Sequence, residues 1–181
     1  PKTLYAKWEA NNYTVTLISL MDGIENSSIE VTYGKTYGKL PQLFKDHYTF
    51  LGWYTKAAGG VKTENGDIVE IVSDQTLYAQ WEGDKYIVSF NPMEGTVSTE
   101  EKEVVYGTAY GKFPTPTKKG YVFDGWYTNA AGKTLVTEED KVTLTGNQTL
   151  YAHWSPKEAA IKLSANGGQM VYNGECVESC T

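Results

Sequence analysis

Few residues in this chain have types and spacings that could do chemistry. There are two histidines, His47 and His153, and two cysteines, Cys176 and Cys180, in a C-x-x-x-C spacing. A histidine works as acid, base or ligand only when a second group is held against it, and neither sits in a motif that supplies one. No G-x-S-x-G, H-E-x-x-H or phosphate-cradling glycine loop occurs. Carboxylates gather at Glu100-Glu101 and at Glu138-Glu139-Asp140, but calcium needs about 6 to 8 oxygens around one point, so solvated charge is the expected reading. The two cysteines lack the further ligands zinc requires; on an exported protein they are disulfide candidates, with each other or with other partners. The remaining candidates are aromatic. Trp53 and Tyr54 stand in FLGWYTKAAGG, and Trp126 and Tyr127 in FDGWYTNAAGK. Exposed, such rings would stack on a sugar; buried, they would be core.

Phe50 and Phe123 open these two stretches 73 residues apart, and the whole chain repeats at that offset. Between Tyr13–Trp81 and Tyr86–Trp154, 28 of 69 positions are identical without a gap. TLYAQW ends at Trp81, TLYAHW at Trp154 and TLYAKW at Trp8, while VTYGKTYGKLP from Val31 matches VVYGTAYGKFP from Val104. Leu163, Asn166 and Gly168 follow Phe90, Met93 and Gly95 at the same distance. The expected organisation is the end of one repeat in 1–8, whole repeats in 9–81 and 82–154, and a further repeat or a different domain in 155–181. The chain opens in mid-motif without Met, as a piece of a longer protein would. The period exceeds the roughly 20 to 50 residues of solenoid units and is just enough for a small independent core. Connectors 82–85 and 155–158 are polar and short, so compact beads on a fairly stiff string are expected.

The repeat also argues against shared chemistry in its polar residues. His47 aligns with Gly120 and His153 with Gln80, while Glu138-Glu139-Asp140 faces Asn65-Gly66-Asp67 and Glu100-Glu101 faces Ser27-Ser28. Asn12, Asn26 and Asn147 stand in N-x-S/T sequons, which matter only in a source that glycosylates.

Alternation of apolar residues predicts strands over Tyr86–Phe90, Glu103–Tyr106, Tyr121–Tyr127 and Thr149–Trp154, with a shorter one over Asp140–Leu144. Pro114 and Pro116 exclude a regular element in that loop; at most one helical turn is expected between Thr36 and Lys45. In the third strand Tyr121, Phe123, Gly125 and Tyr127 are expected on one face and Val122, Asp124 and Trp126 on the other, with Gly125 leaving room for a ring lying across the neighbouring strand. A unit of this size without its rings has too little apolar area to offset chain entropy. The expected core is therefore Tyr13, Phe50, Trp53, Leu77 and Trp81 in one repeat, and Tyr86, Phe90, Phe123, Trp126, Leu150 and Trp154 in the next. Trp53, Tyr54, Trp126 and Tyr127 are the weaker alternative, a ligand platform.

Net charge is −6, and all 16 basic residues are lysine. Without the arginine fork that grips phosphates and guanine edges, nucleic acid and anionic surfaces are poor partners. No apolar run reaches the roughly 20 residues that span a bilayer.

The F-x-G-W-Y-T…A-G run, the V-x-Y-G-x-x-Y-G-K-x-P run and the closing T-L-Y-A-x-W resemble the Listeria–Bacteroides repeat, also called the internalin-type B repeat. The resemblance covers both whole repeats and both partial ends. It implies a mostly β or α+β fold of small tandem β-grasp-like (ubiquitin-like) modules. It also implies a place on secreted or wall-attached surface proteins. The first repeat departs from the family's usual D-x-N-G-G turn with Leu20-Met21-Asp22-Gly23, while Ala165-Asn166-Gly167-Gly168 keeps it more closely. The expected function is a non-enzymatic stalk or spacer with no cofactor and no obligate oligomer. The alternative is an adhesin module binding a host protein or a neutral glycan through exposed aromatics.

Overall fold

A computed structural model describes residues 2–158 and the backbone of two short strands at 170–172 and 175–177. The elements are β1 (Asn12–Ile18), β2 (Ser27–Thr32), β3 (Tyr48–Tyr54), β4 (Lys62–Thr63), β5 (Gln75–Gly83), β6 (Lys85–Asn91), β7 (Glu101–Val105), β8 (Tyr121–Tyr127), β9 (Leu135–Val136), β10 (Gln148–Pro156), β11 (Met170–Tyr172) and β12 (Glu175–Val177). Among the described residues the fold is all β, without the helical turn allowed for between Thr36 and Lys45.

Two five-stranded sheets follow one plan, β2-β1-β5-β3-β4 and β7-β6-β10-β8-β9. In the first, β1 runs parallel to β5, with Val15 opposite Gln75 and Ile18 opposite Tyr78. The other neighbours, β1–β2, β3–β5 and β3–β4, are antiparallel. A parallel pair needs a long crossover, and everything between Ile18 and Gln75 serves as one.

The chain divides into two compact units. One holds the residues up to Ser89 with Glu101–Phe113 and Thr137–Thr149; the other holds Phe90–Glu100, Pro114–Val136 and the residues from Leu150 on. In the first unit, Val15, Leu17, Val31, Leu40, Trp53, Val69, Leu77 and Ala79 form the core, with Tyr13, Phe50 and Trp81 packed against it. In the second, Trp126 lies 4.9 Å from Phe90 and 5.4 Å from Phe123, and Phe123 lies 5.5 Å from Trp154.

Four expectations from the sequence need correction. The Asp140–Leu144 strand reduces to a single bridge from Lys141 to Ala109; the short edge strand is β9 instead. The linker between repeats is not four free residues, because β5 runs to Gly83 and β6 begins at Lys85. The strict alternation in the third strand fails at a bulge. Phe123 pairs with Trp154 and Gly125 with His153, which leaves Asp124 unpaired; Phe50, Gly52 and Leu51 repeat this opposite Trp81 and Gln80. The extra residue turns Phe50 and Trp53 to the same side, 5.7 Å apart, as it does Phe123 and Trp126. A bulge favours glycine at the residue it bends, and Gly52 and Gly125 have φ of 125° and 147°. What lies nearest above them is an aliphatic chain: a Cβ would sit 2.5 Å from Lys62 Cε at Gly52 and 2.5 Å from Leu135 Cδ1 at Gly125, with the Tyr127 ring farther off at 3.6 Å.

Candidate functional site

The duplicated aromatic clusters were the sequence's best candidate for a binding platform, and the fold turns their indoles inward. Trp53 is 3 % exposed and Trp126 2 %. Each indole N–H donates to a loop carbonyl, Trp53 Nε1 to Pro41 O at 2.8 Å and Trp126 Nε1 to Pro114 O at 2.9 Å. The strand-end tryptophans do likewise, Trp81 to Ser19 O at 2.9 Å and Trp154 to Pro92 O at 3.0 Å. A buried indole with its one donor satisfied has nothing left to offer a ligand, and it ties a proline-rich or turn segment to the sheet. Tyr54 and Tyr127 are half-buried. Of the remaining expected core residues, Leu77, Phe90 and Leu150 are buried, Tyr13, Phe50, Trp81, Phe123 and Trp154 are half-buried, and Tyr86 is half-buried with its hydroxyl beside His47.

A groove of about 200 Å³ opens beside Trp53, between Pro41, Leu51, Lys62 and Glu64. Several of its polar side chains already have partners. Asn65 Oδ1 accepts from Leu40 N at 2.9 Å, and Lys62 Nζ meets Glu64 at 2.9 Å, a contact that raises the Lys62 pKa. Lys62 and Glu64 thus spend their charges on each other rather than on a small ligand.

The carboxylate cluster has a structural use that its composition did not reveal. Glu138 Oε1 accepts from Phe113 N at 2.8 Å, the bond Asn65 makes to Leu40, and Asp140 Oδ2 accepts from Thr137 N at 2.8 Å, as Asp67 does from Glu64 N. These acids satisfy loop amides that would otherwise lack an acceptor. Among the described residues no three His, Cys, Asp or Glu gather as a metal site would require. His153 packs 4.4 Å from the Tyr127 ring with its Nε2 buried and unpartnered. Cys176 belongs to β12, while Cys180, and with it the disulfide pairing, lies outside the described residues.

Exposed large apolar residues are present, but the two copies do not share them. Phe44, Val61, Ile68 and Val72 are 52 % to 81 % exposed, and their counterparts one repeat later are Thr117, Thr134, Lys141 and Thr145. Among the described residues no helix is long and apolar enough to cross a membrane.

The family model of the Listeria-Bacteroides repeat domain matches the chain twice, over residues 13–80 and 86–153. A relative from Evansella cellulosilytica described as a Gly-rich membrane protein is 33 % identical over 172 residues, 93 % of this chain and 19 % of the relative. A second protein of that organism, described as a membrane protein, is 36 % identical over 84 % of this chain and 22 % of its own length. Internalin H of Listeria monocytogenes is 34 % identical over 114 residues, 63 % of this chain and 20 % of the internalin. The chain thus spans about a fifth of the length of the curated relatives it matches.

Proposed function

Because this chain belongs to the Listeria-Bacteroides repeat family, we propose that it is a non-enzymatic spacer of a cell-surface protein, a stalk of small folded repeats carrying a functional domain at its far end. The observation that carries the reading is the burial of both duplicated Trp residues, each fastened to a loop carbonyl. What the two copies preserve is what folds them. Their exposed apolar residues differ, whereas multivalent recognition would have each copy present the same contact. Relatives described as membrane proteins and as an internalin support the surface location, with secretion and wall attachment as part of the proposal. A β-grasp-like repeat is also part of it, supported by a mixed sheet with its first and last strands parallel at the centre.

The rival reading is an adhesin that takes a host protein or neutral glycan on exposed aromatics. The chain on a neutral-glycan array and against a panel of host surface proteins distinguishes the two. The spacer gives no saturable binding. Saturable binding that is lost on replacing an exposed aromatic such as Phe44, with the fold intact, overturns the proposal.

A further inference from the structure

The first compact unit does not end where the first repeat ends; it takes in Lys85–Ser89 and Glu101–Phe113 of the second. Asp84, alone between β5 and β6, is held from both sides: its N–H donates to His47 O at 2.9 Å and its carbonyl accepts from Tyr106 N at 2.8 Å. Around it stands a closed set of side chains. The His47 ring stacks on Tyr106 at 4.5 Å, and Tyr48 meets the same ring edge-on at 5.4 Å. His47 Nδ1 lies 3.2 Å from Tyr86 Oη and 3.6 Å from Asp84 Oδ2. Two glycines make the fit. A Cβ at Gly107 would collide with the Tyr48 hydroxyl, and one at Gly83 with the Tyr106 carbonyl.

The backbone half of this arrangement recurs at both other ends of the repeats, Tyr33 N to Asn11 O and Lys157 N to Gly120 O, each 2.9 Å. The side-chain half is not repeated at the next boundary. One repeat later, His47, Asp84, Tyr86 and Tyr106 are replaced by Gly120, Lys157, Ala159 and Ser179. His47 also has φ of 62° where Gly120 has 82°. A side chain in that region persists when its surroundings over-determine it, and the surroundings here are the neighbouring repeat.

We propose that His47 and Tyr48 form a docking surface whose partner is the adjacent repeat, received by Tyr86, Tyr106 and Gly107, and that this lock, whose residues the next boundary does not repeat, couples repeat 1 to the β6–β7 edge of repeat 2. It holds whether the repeats space or bind. Adjacent repeats joined by a real interface exchange stability with one another; repeats joined by a slack linker do not.

The test uses the whole chain and amide hydrogen exchange. Leu77→Ala weakens the core of repeat 1, with Val69→Ala as the milder second probe, and the amides of β6 and β7 are followed. With the lock intact, either probe speeds exchange in β6–β7 by about tenfold or more. With His47→Gly, which installs the residue of the second repeat, or Tyr106→Ser, the probes leave β6–β7 unchanged, while Tyr33→Ser, outside the lock, keeps the coupling. β6–β7 exchange indifferent to both probes in the unaltered chain, or equally sensitive with and without His47→Gly and Tyr106→Ser, overturns the proposal. Neither outcome bears on the spacer reading, which the binding screens test.

Discussion

Repeat 1 and repeat 2 share a frame and fill it differently, and the differences separate what the fold demands from what it tolerates. The amide of Leu40 takes its acceptor from Asn65 and that of Phe113 from Glu138; Thr14 N uses Asp74 and Ile87 N uses Asn147. An acceptor at that point is required and its charge is not, because the unmet need belongs to a backbone N–H. The turns after the third strands differ more. Gln80 Nε2 donates to Lys56 O at 3.0 Å and Gly59 O at 2.6 Å, whereas His153 at the same position packs against Gly132 and Tyr127 without a partner for Nε2. In that turn Asn129 Oδ1 takes over, accepting from Ala131 N at 3.0 Å.

The largest break in this symmetry would be an unequal response to losing the buried indoles. Trp53→Ala and Trp126→Ala each remove a core ring and a carbonyl's donor, at a cost of about 3–5 kcal/mol, read by urea unfolding. The two losses are expected to be equal within experimental scatter; a repeat that shrugs off its tryptophan would not be built on the common frame. Next in size is Gly125→Ala, which puts a Cβ at φ 147° and against Leu135, and costs about 1–3 kcal/mol. Gly52→Ala is the milder partner, since the crowding atom is the far end of Lys62.

How much of this was legible in the sequence follows from how far apart the interacting groups lie. Apolar alternation exposed β6, β7, β8 and β10, and the offset of 73 exposed the repeat. The bulge did not appear, because skipping Asp124 changes no residue type; only the glycine at 125 hints at it. Lys141 reads as part of a strand until its bridging partner at Ala109 is known. Glu138 looks solvated until Phe113, 25 residues away, supplies the N–H. His47 reads as a histidine without a partner because it occurs in one copy, and its partners Tyr86 and Tyr106 belong to the other.

His153→Gln sharpens the comparison of the two turns. Installing the residue of repeat 1 places an amide donor under the Asn129–Gly132 carbonyls and removes the buried unpartnered nitrogen, so repeat 2 gains about 1 kcal/mol, measured by its denaturation midpoint.

The smallest effect belongs to a paired feature, Tyr37 Oη to Gln75 at 2.8 Å and Tyr110 Oη to Gln148 at 3.1 Å. Burial foremost, then Asp67 near Tyr37 and Asp140 near Tyr110, raises both phenols above their ordinary value. A raised value favours the neutral phenol in the folded state. That contribution is complete below about pH 10 and is lost as pH climbs through the raised values. Stability should sag modestly there in an alkaline titration, and Tyr37→Phe with Tyr110→Phe should flatten the sag.

Burial of the duplicated tryptophans underlies the spacer reading, and the five indole N–H groups report on it directly in one spectrum of the whole chain. Trp8, 89 % exposed, provides the freely exchanging standard. Trp53, Trp81, Trp126 and Trp154 should exchange with deuterium far more slowly. Trp53 and Trp126 exchanging as fast as Trp8 would contradict that burial, setting an open aromatic on every repeat and making recognition, not spacing, the first reading of the chain.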